Sequence, residues 1–277
     1  MTLFKRFLDF YINSSMHVAF AVLSFCVLTA YELGLEPSEN FYTAVFFASV
    51  AGYNFVKYFG LTKFYYRSLT TKLKYIQLVS VLSLIGFASI FFLLQLSSQI
   101  LFVILGLITF LYAIPMGVKT PKNLRSIGGV KIYIIALVWA MTTVVLPVLE
   151  SQQTFVFDHW ILVVQRTFIV IVLMLPFEIR DLDTDQLHLS TIPQKIGILN
   201  TKIIGYALLG DSILLELFKH GFNQNNFLIL IFSVALLAIF LAKSSKKKSR
   251  YYTAFWVESV PILVLIFVVV LTLFQKT

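Results

Sequence analysis

Apolar residues in this chain come in long unbroken blocks separated by short polar stretches, with neither the alternation of strands nor the one-faced stripe of a surface helix. A block of about 17 to 25 residues is long enough to cross the hydrocarbon of a bilayer as a helix. In order, the blocks predict spans at 16–34, 40–59, 76–96, 99–115, 131–149, 159–177, 202–218, 226–243 and 254–274. That makes nine; the run at 99–115 is short and the run at 202–218 carries acids, so eight is the alternative count. Ahead of them, MTLFKRFLDFYINSS is a short basic amphipathic stretch that leads straight into the first span and does not read as a cleaved signal.

Composition agrees with the pattern. Of the 277 residues 59% are hydrophobic and 13% charged, and the mean hydropathy is +0.88, values that place the chain in the membrane. Cys26 stands alone inside the first span, so the chain can form neither an internal disulfide nor a cysteine metal site. The 22 Lys and Arg residues orient the spans, because short cytoplasmic loops keep an excess of them. With the N-terminus cytoplasmic, all but Arg166, Lys219 and Lys276 fall on the inner side, while Glu32, Glu36, Glu39, Glu150 and Asp158 fall on the outer side. The net charge of +9 is then mainly an orientation signal with some attraction to anionic headgroups, and it does not point to nucleic acid. The cluster KSSKKKSR at 243–250 reads as a headgroup anchor.

One stretch departs from this economy of charge. PFEIRDLDTDQLHLSTIPQKIG, residues 176–197, follows the sixth span on the inner side and holds Glu178, Asp181, Asp183 and Asp185. If the helix continues past Pro176, Glu178, Asp181 and Asp185 share a face while Asp183 points elsewhere. Like charges at that spacing repel, so a cation between them is the functional reading. Carboxylates one turn apart suit Mg²⁺, a hard ion commonly shared between protein oxygens and substrate phosphates. The plainer reading is a solvated acidic loop beside Arg180 and Lys195.

The run Arg180-Asp181, then Asp185, Thr191, Pro193 and Ile196-Gly197 resembles the second aspartate-rich motif of the UbiA superfamily of intramembrane prenyltransferases. That family places the motif just after the sixth of nine helices, on the cytoplasmic side, as here. Residues 111–147, with Tyr112, Pro115, Lys119, Arg125, Lys131, Trp139 and Pro147, resemble the family's segment between helices four and five. The resemblance implies an all-α, nine-transmembrane-helix UbiA-like bundle, a single transmembrane domain over 1–277. It implies Mg²⁺-dependent transfer of a polyprenyl group from a diphosphate donor to a small, aromatic acceptor. By it, Asp181 and Asp185, with Glu178 in support, would hold metal; Lys119, Lys122 and Arg125 would hold diphosphate, or else serve only as inside-positive loop charge; Asn54 and Tyr112 would be polar groups of the cavity.

The first aspartate-rich motif of the family, expected after helix two, is not intact. In AGYNFVKYFGL, residues 51–61, Asn54 keeps its place, but Phe55, Tyr58 and then Thr62 stand at the acidic positions and Lys57 adds a positive charge. Two outcomes are open. A single Mg²⁺ works with Lys57 as a fixed cation on the diphosphate, or the chain has lost the chemistry and binds an isoprenoid lipid, a quinone or a partner protein. Lys57 equally fits an ordinary lysine at a membrane end.

Arg166 and Asp211 lie about 15 Å deep in adjacent helices at ~1.5 Å per residue, which predicts a structural ion pair, since charges in hydrocarbon are normally paired or functional. Glu216 and Glu258 lie nearer helix ends, where water reaches them. A small-solute transporter would also use such charges, but inverted repeats and broken midplane helices are not evident. The four histidines are scattered without a metal or nucleophile spacing. The compact chain favours a bacterial inner membrane.

Overall fold

The computed structural model describes residues 3–64, 71–114, 129–183 and 191–275. Among them the protein is all helix: α1 (Leu3–Asn13), α2 (Met16–Leu33), α3 (Glu39–Phe64), α4 (Thr71–Phe91), α5 (Leu96–Ala113), α6 (Val130–Glu150), α7 (Phe157–Asp181), α8 (Ile192–Glu216), α9 (Gln224–Lys243) and α10 (Tyr252–Phe274). Eight of the described helices are long and apolar enough to cross a membrane, and the chain is an integral membrane protein. The stretch predicted as a span over 40–59 forms as α3 and packs between α2 and α4.

Local chemistry sets the breaks. Between α1 and α2, Ser15 adopts φ 61°, a left-handed conformation rare for a residue with a Cβ. Gly34 takes the same region after α2, where the Leu35 N–H reaches back 2.8 Å to the Ala30 carbonyl and closes the helix end. Both α6 and α10 contain a π-type turn, Met141–Val145 and Tyr252–Val257. Each lies just before a proline, Pro147 and Pro261, whose ring clashes with the carbonyl four residues back and lacks an N–H to bond it.

Helices α2 and α7 are the most buried of the spans. Helices α3, α4 and α5 pack together on one side of them, α8, α9 and α10 on the other, and α6 lies against both α2 and α7. The outer surfaces of α4, α5, α8 and α9 are apolar and exposed, as lipid-facing surfaces must be. Close approach of α3 and α4 depends on Gly86, where a Cβ would sit 2.7 Å from the Phe47 ring.

At the end remote from α1 a buried polar network ties α2, α7 and α8 together. Lys219 bridges Glu32 at 2.6 Å and Glu216 at 2.8 Å, and Gln165 Nε2 donates to Glu216 at 2.9 Å. Burial alone would lower the Lys219 ammonium, but Glu32 and Glu216 together raise it above the ordinary lysine value. The expected Arg166–Asp211 pair does not form. Arg166, 4% exposed, donates to Thr29 Oγ1 at 3.1 Å and lies 4.0 Å over the Phe25 ring. Asp211 is exposed on the outer face of α8 beside Gly210 and Leu214, while Ser212 and Glu216 face inward. Five residues turn a helix by about 140°, so Glu216 and Asp211 cannot both face α7.

Two outcomes follow for stability. Lys219→Met leaves two buried carboxylates without their cation and should cost about 3 kcal/mol, read as a lower unfolding midpoint in detergent that Lys219→Arg largely restores. Gly86→Val forces Phe47 aside and should cost about 1–3 kcal/mol in the same assay, with Gly210→Val, in open space on α8, as the neutral control.

Candidate ligand-binding site

A cavity of about 840 Å³ opens between α3, α4, α5 and α6. Its wall is mostly apolar, with Phe55, Phe87, Phe102 and Phe110 among the larger side chains, and among the described residues no charged one lines it. Polar groups enter from all four helices, among them Tyr53, Asn54 and Tyr58 on α3, Gln77 and Ser80 on α4, Thr109 and Tyr112 on α5, and Trp139 and Thr142 on α6. Asn54 and Tyr112, the two polar cavity residues expected from the sequence, both line it. Trp139 Nε1 donates to the Tyr53 hydroxyl, joining α6 to α3 across the cavity wall.

Asn54 is 2% exposed. Its Nδ2 donates to the Ser14 carbonyl at 3.0 Å, and its Oδ1 has no partner among the described residues. The next turn of α3 serves the same segment. Tyr58 Oη donates to the Asn13 carbonyl at 2.8 Å, and Lys57 Nζ to the carbonyls of Ile12 at 3.3 Å and Asn13 at 3.5 Å. The residues at and beside the first-motif positions therefore hold the C-terminus of α1. A helix C-terminus presents unpaired carbonyls and partial negative charge, so an ammonium, a phenol and an amide bind it where carboxylates would repel it.

The segment leading into α10 holds α1 from another side. Arg250 donates to Asn13 Oδ1 and Tyr251 to Asp9 Oδ1. His17 Nε2 lies 2.9 Å from the Phe255 carbonyl and Nδ1 lies 3.1 Å from Tyr11 Oη. A carbonyl only accepts, so Nε2 carries the proton and Nδ1 accepts from Tyr11. The exposed side chains of Leu3, Phe4 and Phe7, with Lys5 and Arg6 beside them, suit α1 to the headgroup layer.

Glu258 was read from sequence as an end residue reached by water. In the structure it is partly buried, and the cations acting on it are Lys57, Arg180 and Arg250. Its place in a helix that packs on α2 is not visible in hydropathy, and the only available signal was a lone carboxylate inside an otherwise apolar block.

Of the second motif, Glu178 and Asp181 are described; Asp185 lies outside the described residues, as do Lys119, Lys122 and Arg125. Asp181 accepts from its neighbour Arg180 through both oxygens, at 2.6 Å and 2.7 Å. The remaining Arg180 nitrogen donates to Thr253 Oγ1. Glu178, 2% exposed, accepts from the Ile192 N–H at 3.3 Å. Neither acid lines the cavity. Asp183, beyond the end of α7, pairs with Lys246.

Among the described residues no three His, Cys, Asp or Glu side chains lie together as a metal site would require. Of the three expected metal ligands two are described, and both are engaged within the protein: Asp181 by a guanidinium, Glu178 by a backbone N–H.

No family model matches the sequence, and no curated protein matches it. Solved structures do. The apo structure of a UbiA homologue from Aeropyrum pernix K1 superposes with a TM-score of 0.67 at 14% identity, covering 94% of this chain and 98% of that one. A UbiA homologue from Archaeoglobus fulgidus bound to GPP and Mg²⁺ gives a TM-score of 0.64 at 11% identity, covering 95% and 98%. A digeranylgeranylglyceryl phosphate synthase structure gives 0.53 at 14% identity, covering 96% of each chain. Along nearly its whole length, this chain has the UbiA fold.

Proposed function

We propose that the chain is a UbiA-family protein of the bacterial inner membrane, with nine spans and a cytoplasmic N-terminus, that binds an isoprenoid lipid in the cavity between α3 and α6. The observation that carries this reading is the cavity itself, about 840 Å³, walled by apolar and aromatic side chains, with its few polar groups led by Asn54 and Tyr112. A site of that size and lining suits a long apolar chain with a small polar head. The homologue from Archaeoglobus fulgidus, in the same fold, binds GPP and DMAPP with Mg²⁺.

The activity that goes with this reading is transfer of a polyprenyl group from a diphosphate donor to a small, aromatic acceptor. Asp181, Asp185 and Glu178 are the residues that would hold one Mg²⁺, whose chemistry is to neutralise the diphosphate as it leaves. Lys119, Lys122, Arg125 and Lys57 are the cations that would hold the diphosphate.

One observation favours a second reading, in which the chain binds the lipid and does no chemistry. Lys57, Tyr58 and Asn54 are engaged by the end of α1, so the side of the site where the first motif would stand is filled by the protein itself. For the arrangement described, this second reading is the better supported of the two.

Both readings meet in one experiment on the purified protein, equilibrium binding of a non-hydrolysable geranylgeranyl diphosphate analogue with and without Mg²⁺. Transfer requires tight binding that depends on Mg²⁺ and falls at least tenfold in Asp181→Asn/Asp185→Asn. Binding indifferent to metal and to that variant removes the transferase reading. The hold on α1 is checked separately: Lys57→Met/Tyr58→Phe removes three hydrogen bonds. At about 1 kcal/mol each, their loss should raise amide hydrogen exchange in residues 3–13 about tenfold or more.

A further inference from the structure

Donors from two separate parts of the chain converge on one residue at the end of α1. Tyr58 Oη donates to the Asn13 carbonyl at 2.8 Å and Lys57 Nζ lies 3.5 Å from the same oxygen, while Arg250 donates to Asn13 Oδ1. A phenol, an ammonium and a guanidinium form the kind of donor set that holds an oxyanion, and charge-assisted bonds to an anion are about twice as strong as bonds to a neutral acceptor. Here the set is spent on two neutral oxygens. Among the described residues the cations at this point are Lys57, Arg180 and Arg250, against the carboxylates Glu258 and Asp181. A further carboxylate, Asp9, accepts from Tyr251 and belongs to α1 itself. When α1 leaves, Asp9 leaves with it and the cations are in excess.

The turn from α1 into α2 works against the docked position. Ser15 holds φ 61°, unfavourable for a residue with a Cβ. Its Oγ, in a residue 1% exposed, has no partner among the described residues, and a buried unmatched hydroxyl is a further cost. Opening the turn relieves both. The other half of α1 loses nothing on release, because Leu3, Phe4 and Phe7 are already exposed and, with Lys5 and Arg6, suit the headgroup layer.

We propose that α1 is a displaceable latch. Asn13 occupies, with neutral oxygens, a place at which Lys57, Tyr58 and Arg250 bind a phosphate-bearing head group, and that head group and the docked α1 exclude each other. Two occupants of one donor set are linked: what binds there must loosen α1, and what loosens α1 must tighten the binding by a like factor. The inference rests on reading Lys57 as a cation that meets phosphate; it uses neither Mg²⁺ nor prenyl transfer.

The test follows amide hydrogen exchange in residues 3–13 of the full-length protein in lipid nanodiscs, with EDTA present. One arm adds inorganic pyrophosphate to phosphatidylcholine discs. The other replaces phosphatidylcholine by phosphatidylglycerol, so the arm that responds tells a head group from solution from one in the bilayer. Exchange should rise about tenfold in one arm, with that of α2 and α7 unchanged. The rise should vanish in Arg250→Gln, which can still donate to Asn13 but carries no charge. Tyr251→Phe removes the Asp9 bond and no donor of the site. It should lower the pyrophosphate concentration, or phosphatidylglycerol fraction, needed for half the rise about fivefold, the effect of about one hydrogen bond. Ser15→Gly, which accepts the left-handed turn freely, should raise it severalfold. No rise in either arm, a rise that persists in Arg250→Gln, or midpoints that ignore both other variants overturns the latch. A response that appears only when Mg²⁺ replaces EDTA overturns it too and keeps the transferase reading. If a variant misfolds, seen as faster exchange in α2 and α7, the unaltered protein decides: a rise confined to residues 3–13 keeps the latch, and none removes it.

Discussion

The end of α1 must be satisfied, and the basic end of the bundle is arranged around that need. A helix leaves its last carbonyls without partners within it, and here each has one. The Phe10 carbonyl accepts from the Ser14 N–H, Tyr11 from Ser14 Oγ, Ile12 from Ser15 N–H and Lys57, Asn13 from Tyr58, and Ser14 from Asn54. Three of those donors are side chains of α3 spaced along one stretch, so the first span and its leading helix are fastened to the cavity wall.

This gives a physical reason for the altered first motif. A carboxylate at position 58 would face a helix C-terminus that carries partial negative charge, and would add an acceptor where the site needs donors. Tyr58 and Lys57 supply the donors, while Phe55 turns to the cavity wall and stacks on Phe110 at 5.9 Å between ring centroids. A phenol at position 58 in place of an acid, with the ammonium of Lys57 and the retained amide of Asn54 beside it, is consistent with a docked α1.

The spans were legible because hydrocarbon permits little else: with every backbone group bonded within its own segment, an apolar block of the right length has one outcome. Direction around the helix axis was not legible to the same degree. Depth alone matched Arg166 with Asp211, but azimuth decides contact, and the helical phase of α8 that buries Ser212 and Glu216 turns Asp211 outward. The same gap hid Glu258, whose neighbours Lys57, Arg180 and Arg250 come from three separate parts of the chain. The candidate site was legible where a motif position also faces the cavity, as at Asn54 and Tyr112, since both facts follow from the same helix face. What Asn54 does there could not be read, because its partner Ser14 is forty residues away, in the turn between α1 and α2.

Charge and cavity are kept apart at the basic end. Glu258, Arg180, Asp181, Arg250 and Lys57 form a charged mouth beside α3, α7 and α10, while among the described residues no ionised group lines the space between α3 and α6. The seam between them is the contact of Asn54 and Tyr58 with Asn13 and Ser14. An anionic head bound in the mouth would have to take Lys57 and Arg250 from α1, exchanging several protein hydrogen bonds for its own. Burying charge is unfavourable unless it is paired. With α1 docked, Lys57 and Arg250 are already committed to the protein itself, and any anionic ligand at this end competes with α1 for them.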